Sequence, residues 1–276
     1  MDIAWFILKW PLIACLLLPG ILVYLGLHIV RRGVIFVDLA LAQVATLGTC
    51  LCLALGHDIH DVHTYIWSVG FTLAGALIFA LTRTHESHRV PQEALIGIVY
   101  VVAAAGCILF LSRSAEGNEE LKRTLIGDVL TVTGPQIGKT FGLYACIGVV
   151  HFVFRRKFLA LTFHHDAGGG IAFSTRCWDF LFYALFGFVV TSFVQIGGVL
   201  LVFSYLIIPA VCASLISRVL MTMLITGWVI ATLGGVCGLF VSYQFDLPTG
   251  AAIVCTLGLF LIPAGLIPRF RKPKPG

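Results

Sequence analysis

Apolar runs close to bilayer length follow one another along almost the whole chain, parted by short segments that hold most of its charge. A helix needs about 20 such residues to cross a hydrocarbon core of about 30 Å. On that measure the pattern predicts about nine spans, at approximately 7–30, 33–55, 64–81, 94–111, 138–154, 179–193, 197–216, 221–243 and 251–267. The sixth and seventh are short and divided only by Val194, Gln195 and Ile196, so eight is the rival count. The expected fold class is all-α: a polytopic transmembrane helical bundle, one compact domain over residues 1–276 with no soluble domain. The first run lacks a basic flank before it and a small-residue cleavage site, so it reads as a span and not as a removable signal peptide.

Composition agrees. Of 276 residues 59% are hydrophobic and 11% charged, and the mean hydropathy of +1.01 is far above that of a soluble globular domain. A net charge of +5 would suggest nucleic acid in a soluble chain, but these basic residues sit between apolar runs, where they orient a membrane protein. With the N-terminus outside, the inner loops collect Arg31, Arg32, Arg83, Arg89, Arg155, Arg156, Lys157, Arg176 and Arg218, together with the basic C-terminal tail, and the acidic residues Asp58, Asp61, Glu116, Glu119 and Glu120 fall outside. The positive-inside rule therefore predicts N-outside, C-inside. The nine cysteines are scattered, mostly in apolar runs, without a Cys-x-x-Cys pair, which argues against disulfides or a zinc knot and for small buried apolar residues.

Arg31 and Arg32 stand between the first two runs, and Asp38 lies six residues beyond them inside the second. An ionised carboxylate at the centre of a membrane helix costs roughly 2.5 to 3.5 kcal/mol on insertion scales, so Asp38 is a candidate for function. The segment 133–140, TGPQIGKT, nearly matches a nucleotide-binding loop, but Thr133 replaces the first glycine and no strand precedes it. If ATP drives this protein, another chain binds it. No nucleophile with base and orienter is present, so the chain itself is not expected to be an enzyme.

Several motifs resemble the membrane subunit of bacterial ABC-type zinc and manganese importers, with the zinc-uptake permeases nearest: RRGVIFVD at 31–38, EALIGI at 93–98, IGDVLTVT at 126–133, QIGGVLLVFSYLIIPA at 195–210 and FDLPTGA at 245–251. The resemblance implies a multi-pass permease of the bacterial inner (plasma) membrane. It would homodimerise, receive a divalent metal, zinc first and manganese or iron second, from an external binding protein, and be driven by cytoplasmic ATP-binding subunits. No permanently bound cofactor and no nucleic acid are implied; the metal is cargo. In that family an aspartate at the place of Asp38 is followed four residues later by a histidine, and the two form part of the metal path at the dimer axis. Here Ala42 occupies that place and Gln43 comes next. In a regular helix Gln43 would point about 140° away from Asp38, so a shared site requires one inserted residue, taken up as a π-bulge. Two Asp38 carboxylates and two Gln43 amides would then surround the axis. The competing reading pairs Asp38 with Arg31 or Arg32 and leaves Gln43 bridging helices.

Other candidates are grouped by loop. His57, Asp58, His60, Asp61 and His63 fall between the second and third spans, where imidazole and carboxylate suit capture of zinc or manganese, although the i, i+3, i+6 spacing of His57, His60 and His63 fans around a helix and such loops are commonly just solvated. His164, His165 and Asp166, followed by Gly168, Gly169 and Gly170, lie where the resemblance places the segment that couples to the ATPase; a metal site or an idle loop are the alternatives. Glu93, Asp128 and Asp246 match acidic positions of the family, while Asp128 and Asp246 also suit caps and turns. A secondary transporter or metal channel working without ATP, or a siderophore or corrinoid permease, remains the alternative function.

Overall fold

The computed structural model describes residues 2–57, 61–83, 91–112, 127, 129–163 and 173–270. Among these residues all regular structure is helical: α1 (Asp2–Leu17), α2 (Pro19–Arg32), α3 (Val37–Ala54), α4 (Val62–Leu81), α5 (Gln92–Leu111), a 3-10 turn at Val129–Thr131, α6 (Gly134–Val153), α7 (Arg155–Phe163), α8 (Phe173–Ile216), α9 (Leu220–Phe245) and α10 (Thr249–Phe270). Seven helices are long and apolar enough to cross a membrane, or eight if α6 and α7, bent by 78°, form one broken span. The first of them joins α1 to α2 over Leu8–Arg32. The expected sixth and seventh spans both lie in α8, whose 44 residues are about twice the number that one crossing needs. That helix is interrupted at Gly198, which has φ 72° and ψ 168°.

The helix ends follow local sequence. Arg31 and Arg32 occupy the last turn of α2, where cations complement the helix dipole, and Gly33 stops the helix with φ +68°. At the end of α3, Gly56 N–H donates to Leu53 O at 2.9 Å and His57 N–H to Cys52 O at 3.3 Å, the paired bonds of a Schellman motif with Gly56 at φ +89°. The near-match to a nucleotide loop is a helix start. Gln136 Oε1 accepts from both the Thr133 N–H and hydroxyl at 2.9 Å, half of a capping box, and α6 runs on through Lys139 and Thr140.

Backbone proximity divides the chain into two compact units, each assembled from segments distant in sequence. One comprises Met1–Val30, Ile126–Tyr144 and Ile196–Gly276. Within it, helices approach closely at glycines: a Cβ on Gly26 would overlap the Leu206 carbonyl, one on Gly235 the Tyr205 hydroxyl, and one on Gly238 the α10 backbone at Ile253. Small residues at such crossings supply the van der Waals contact that drives helix association in lipid. Gly127 (φ +63°) meets Gly197 and Gly198 backbone to backbone, so two of the resemblance motifs come together there.

The other unit comprises Arg31–Leu125 and Ala145–Gln195. Here α3 packs on α4 and α5. Gly75 admits Leu41 and Val44, Gly187 closes on Thr72, and Thr72 and Thr191 hydroxyls bond at 3.2 Å. Of the nine cysteines, all free, Cys15, Cys50, Cys52, Cys107 and Cys212 are buried as expected, whereas Cys146, Cys177, Cys237 and Cys255 are exposed on helix surfaces.

Candidate functional site

Asp38 lies in the first turn of α3, 1% exposed, and neither carboxylate oxygen has a hydrogen-bond partner among the described residues. Burial without partners is costly for any polar group and most costly for a charged one. The competing expectation, an ion pair with Arg31 or Arg32, is not met: neither Asp38 oxygen has a hydrogen-bond partner among the described residues, and Arg32 pairs with Asp179. A second carboxylate stands near. Glu93, in the first turn of α5, accepts the Phe36 N–H through Oε1 at 3.0 Å at the entry to α3, close enough to act electrostatically on Asp38. Its Oε2 is also buried without a partner.

The bulge expected in α3 is absent. The helix is α-helical from Val37 to Ala54, which leaves Gln43 about 140° from Asp38 around the axis. Gln43 is buried, and its backbone carbonyl lies 4.0 Å from the Cys107 thiol of α5. Asp38 and Gln43 therefore do not share a site within one chain. The face that α3 presents with Asp38 therefore carries Ala42, which offers no ligand.

Between α3 and α4 the structure brings together His57, Asp61 and His63. Asp61 caps α4, its Oδ1 accepting the His63 N–H at 3.4 Å, while Oδ2 lies 3.2 Å from His63 Nδ1 and 3.4 Å from His57 Nδ1. The two imidazoles stack with centroids 5.2 Å apart. Their three candidate ligand atoms all lie within 4.8 Å of one another. The hydrogen bond from His63 holds the Asp61 carboxyl below its usual range. The spacing rule assumed a single helix, whereas His57 follows the end of α3 and Asp61 caps the start of α4. Asp58 and His60 lie outside the described residues, as do Asp128 and the whole segment of His164, His165, Asp166, Gly168, Gly169 and Gly170. Asp246 ends α9 in the left-handed conformation (φ 51°, ψ 47°), a turn role.

One charged centre was not anticipated. Asp179, 0% exposed near the start of α8, accepts Arg32 Nη1 at 2.9 Å and also pairs with Arg83 from just beyond α4. Arg32 further donates from Nε to Thr162 Oγ1 of α7 at 3.2 Å and lies over the Phe182 ring at 3.9 Å. Arg32 of α2 and Arg83 thus meet at one carboxylate of α8, and Arg32 carries the link on to α7. The only sequence signal was Asp179 itself, an acidic residue leading an apolar run.

The model of the ABC 3 transport family matches residues 5–267. Over 252 residues, 91% of this chain and 86% of the relative, the chain is 25% identical to the manganese transport system membrane protein MntC of Listeria innocua. Over 250 residues, 90% of this chain and 87% of the relative, it is 25% identical to the manganese import system permease protein ScaB of Streptococcus gordonii. In three dimensions it resembles PsaBC from Streptococcus pneumoniae, solved in complex with Fab, with a TM-score of 0.77 over 96% of this chain and 94% of that one at 24% identity.

Proposed function

The chain belongs to the ABC 3 transport family, and from that premise we propose that it is the membrane permease of an ATP-driven importer of divalent transition metals. Two copies form the pathway, with α8 counted as two spans, nine in all, and the N-terminus outside. A cytoplasmic ATPase pair works the permease and an external binding protein supplies it. The observation that carries this reading is the buried, unpartnered carboxylate of Asp38 in a membrane helix. A passing cation would be drawn to an acid in that place and would balance its charge.

Donor chemistry changes the order of cargo. With Ala42 where the family has histidine, and Gln43 turned away, the ligands near Asp38 are carboxylate oxygens, its own and Glu93 Oε2. Oxygen-only sets suit manganese(II) and, next, iron(II), whereas zinc gains most from imidazole or thiolate. Manganese therefore replaces zinc as first choice, in line with the names of the relatives. The segment from His164 to Gly170 is the contact with the ATPase.

The test is radioactive manganese uptake into vesicles carrying permease and ATPase together. Asp38→Asn keeps the shape and removes the charge; it should abolish uptake while the protein still inserts and dimerises. Normal uptake by that variant refutes the pathway role. Full uptake by the permease without its ATPase would instead favour a channel or secondary transporter.

A further inference from the structure

We infer that His57, Asp61 and His63 form a second metal site, separate from Asp38, that takes a borderline divalent ion of the zinc, cobalt or nickel class at the α3–α4 turn. The argument begins with the backbone. His57 is pinned at the end of the Schellman motif by its N–H bond to Cys52 O, and Asp61 and His63 are pinned at the start of α4. Two rigid helix ends therefore present the ligands, so little ordering remains to oppose binding.

The carboxylate is oriented as well. Asp61 Oδ1 is engaged by the His63 N–H, which leaves Oδ2 facing both imidazoles. A backbone donor holding one oxygen while the other faces the ligand position is the arrangement that outer-shell bonds give metal-bound carboxylates. The helix N-terminus favours the negative charge.

Distances fit. Metal bonds of about 2.0 to 2.2 Å to nitrogen and oxygen put neighbouring ligands roughly 3 to 3.5 Å apart. The two Nδ1–Oδ2 separations, 3.2 and 3.4 Å, already have that length, and one candidate ligand atom from each of the three residues lies within 4.8 Å of the other two. On binding, each Nδ1 gives its lone pair to the ion and the ring carries its proton on Nε2 instead. Both rings are solvent-exposed, so water completes the shell. Two imidazoles and one carboxylate favour zinc over manganese, the opposite preference to the carboxylate pair at Asp38.

The site is tested on the purified full-length chain in detergent, in an Asp38→Asn, Glu93→Gln background so that the two pathway carboxylates contribute nothing. Cobalt(II) is titrated and followed by its visible absorption, with zinc(II) competing and binding heats measured in parallel. The background protein should bind one cobalt per chain and zinc more tightly than manganese. Adding His63→Ala or Asp61→Asn should weaken cobalt binding by at least about tenfold; the asparagine still caps α4, so its effect reports on the ligand and not on folding. Cobalt affinity unchanged in both added variants, or no cobalt bound by the background protein, overturns the site. Neither outcome bears on transport through Asp38, which rests on uptake.

Discussion

Asp179→Ala removes the one carboxylate that holds two arginines inside the protein, and its cost can be worked from the geometry. The Arg32–Asp179 pair is nearly dry, with side chains 7% and 0% exposed, and meets at 2.9 Å. A hydrogen bond between charged groups contributes about 1.5 to 3 kcal/mol net. Arg83 is 25% exposed, so solvent screens its pair and leaves it at about 1 kcal/mol or less. Removal also strands Arg32, whose Nη2 is already buried without a partner. Thr162 and the Phe182 ring hold that guanidinium in place, so it cannot easily leave for water. Together these give about 3 to 4 kcal/mol of lost stability, within the range for breaking a buried pair. Reversible unfolding in mixed micelles, followed by circular dichroism, measures it, and double-mutant cycles with Arg32→Ala and Arg83→Ala divide it. The Arg32 coupling should be about 2 kcal/mol and that of Arg83 smaller. A total loss under about 1 kcal/mol, or an Arg83 coupling equal to that of Arg32, would refute the reasoning.

Three further outcomes are expected. Gly26→Ala should cost about 2 kcal/mol, because the new methyl meets the Leu206 backbone and helices must part, whereas Gly70→Ala, with open space around it, should be neutral or stabilising by about 0.5 kcal/mol; equal melting temperatures for the two would show the packing to be wrong. Asp61 titrates below its ordinary value when folded, so what it adds to stability is complete above the unfolded pKa of about 3.9 and is lost as pH falls through the lower folded value; the melting difference between wild type and Asp61→Ala should hold above about pH 4 and narrow below it, and a difference that narrows between pH 8 and 5 would contradict this assignment. Asp166→Cys should react with an impermeant thiol reagent only from the cytoplasmic side of inverted vesicles in a cysteine-depleted background, and be shielded by the ATPase; labelling from outside intact cells would remove the coupling role.

The all-helical class of the described residues, their apolar runs of bilayer length and the family were legible along the chain, because hydropathy and spacing are local properties, whereas the expected nine spans appear as seven or eight candidate helices. Asp38 was legible for the same reason, since charge inside an apolar run shows without any partner. The failures lie one step further out. Whether Gln43 shared the face of Asp38 depended on helix phase, which one inserted residue shifts by about 100°, and no residue type announces where such an insertion is absorbed. The break in α8 was visible only as Gly197 and Gly198 between two apolar runs; that the backbone leaves helical geometry at Gly198 came from the fold.

Pairings across the fold were decided only in three dimensions. Arg32 and Asp179 stand 147 positions apart, and nothing in either neighbourhood states that one neutralises the other. Low dielectric selects that partnership, because an arginine buried among α2, α7 and α8 needs whichever carboxylate the packing delivers. The Asp61 hub shows the same division at short range. Its ligand types were in plain view, but one helix stops at Gly56 and another starts at Val62, so the periodicity of a single helix does not govern where His57, Asp61 and His63 meet. Sequence determined which groups were present and which solvent they face; tertiary structure determined which of them meet, because contact depends on the summed rotations of every intervening helix and turn.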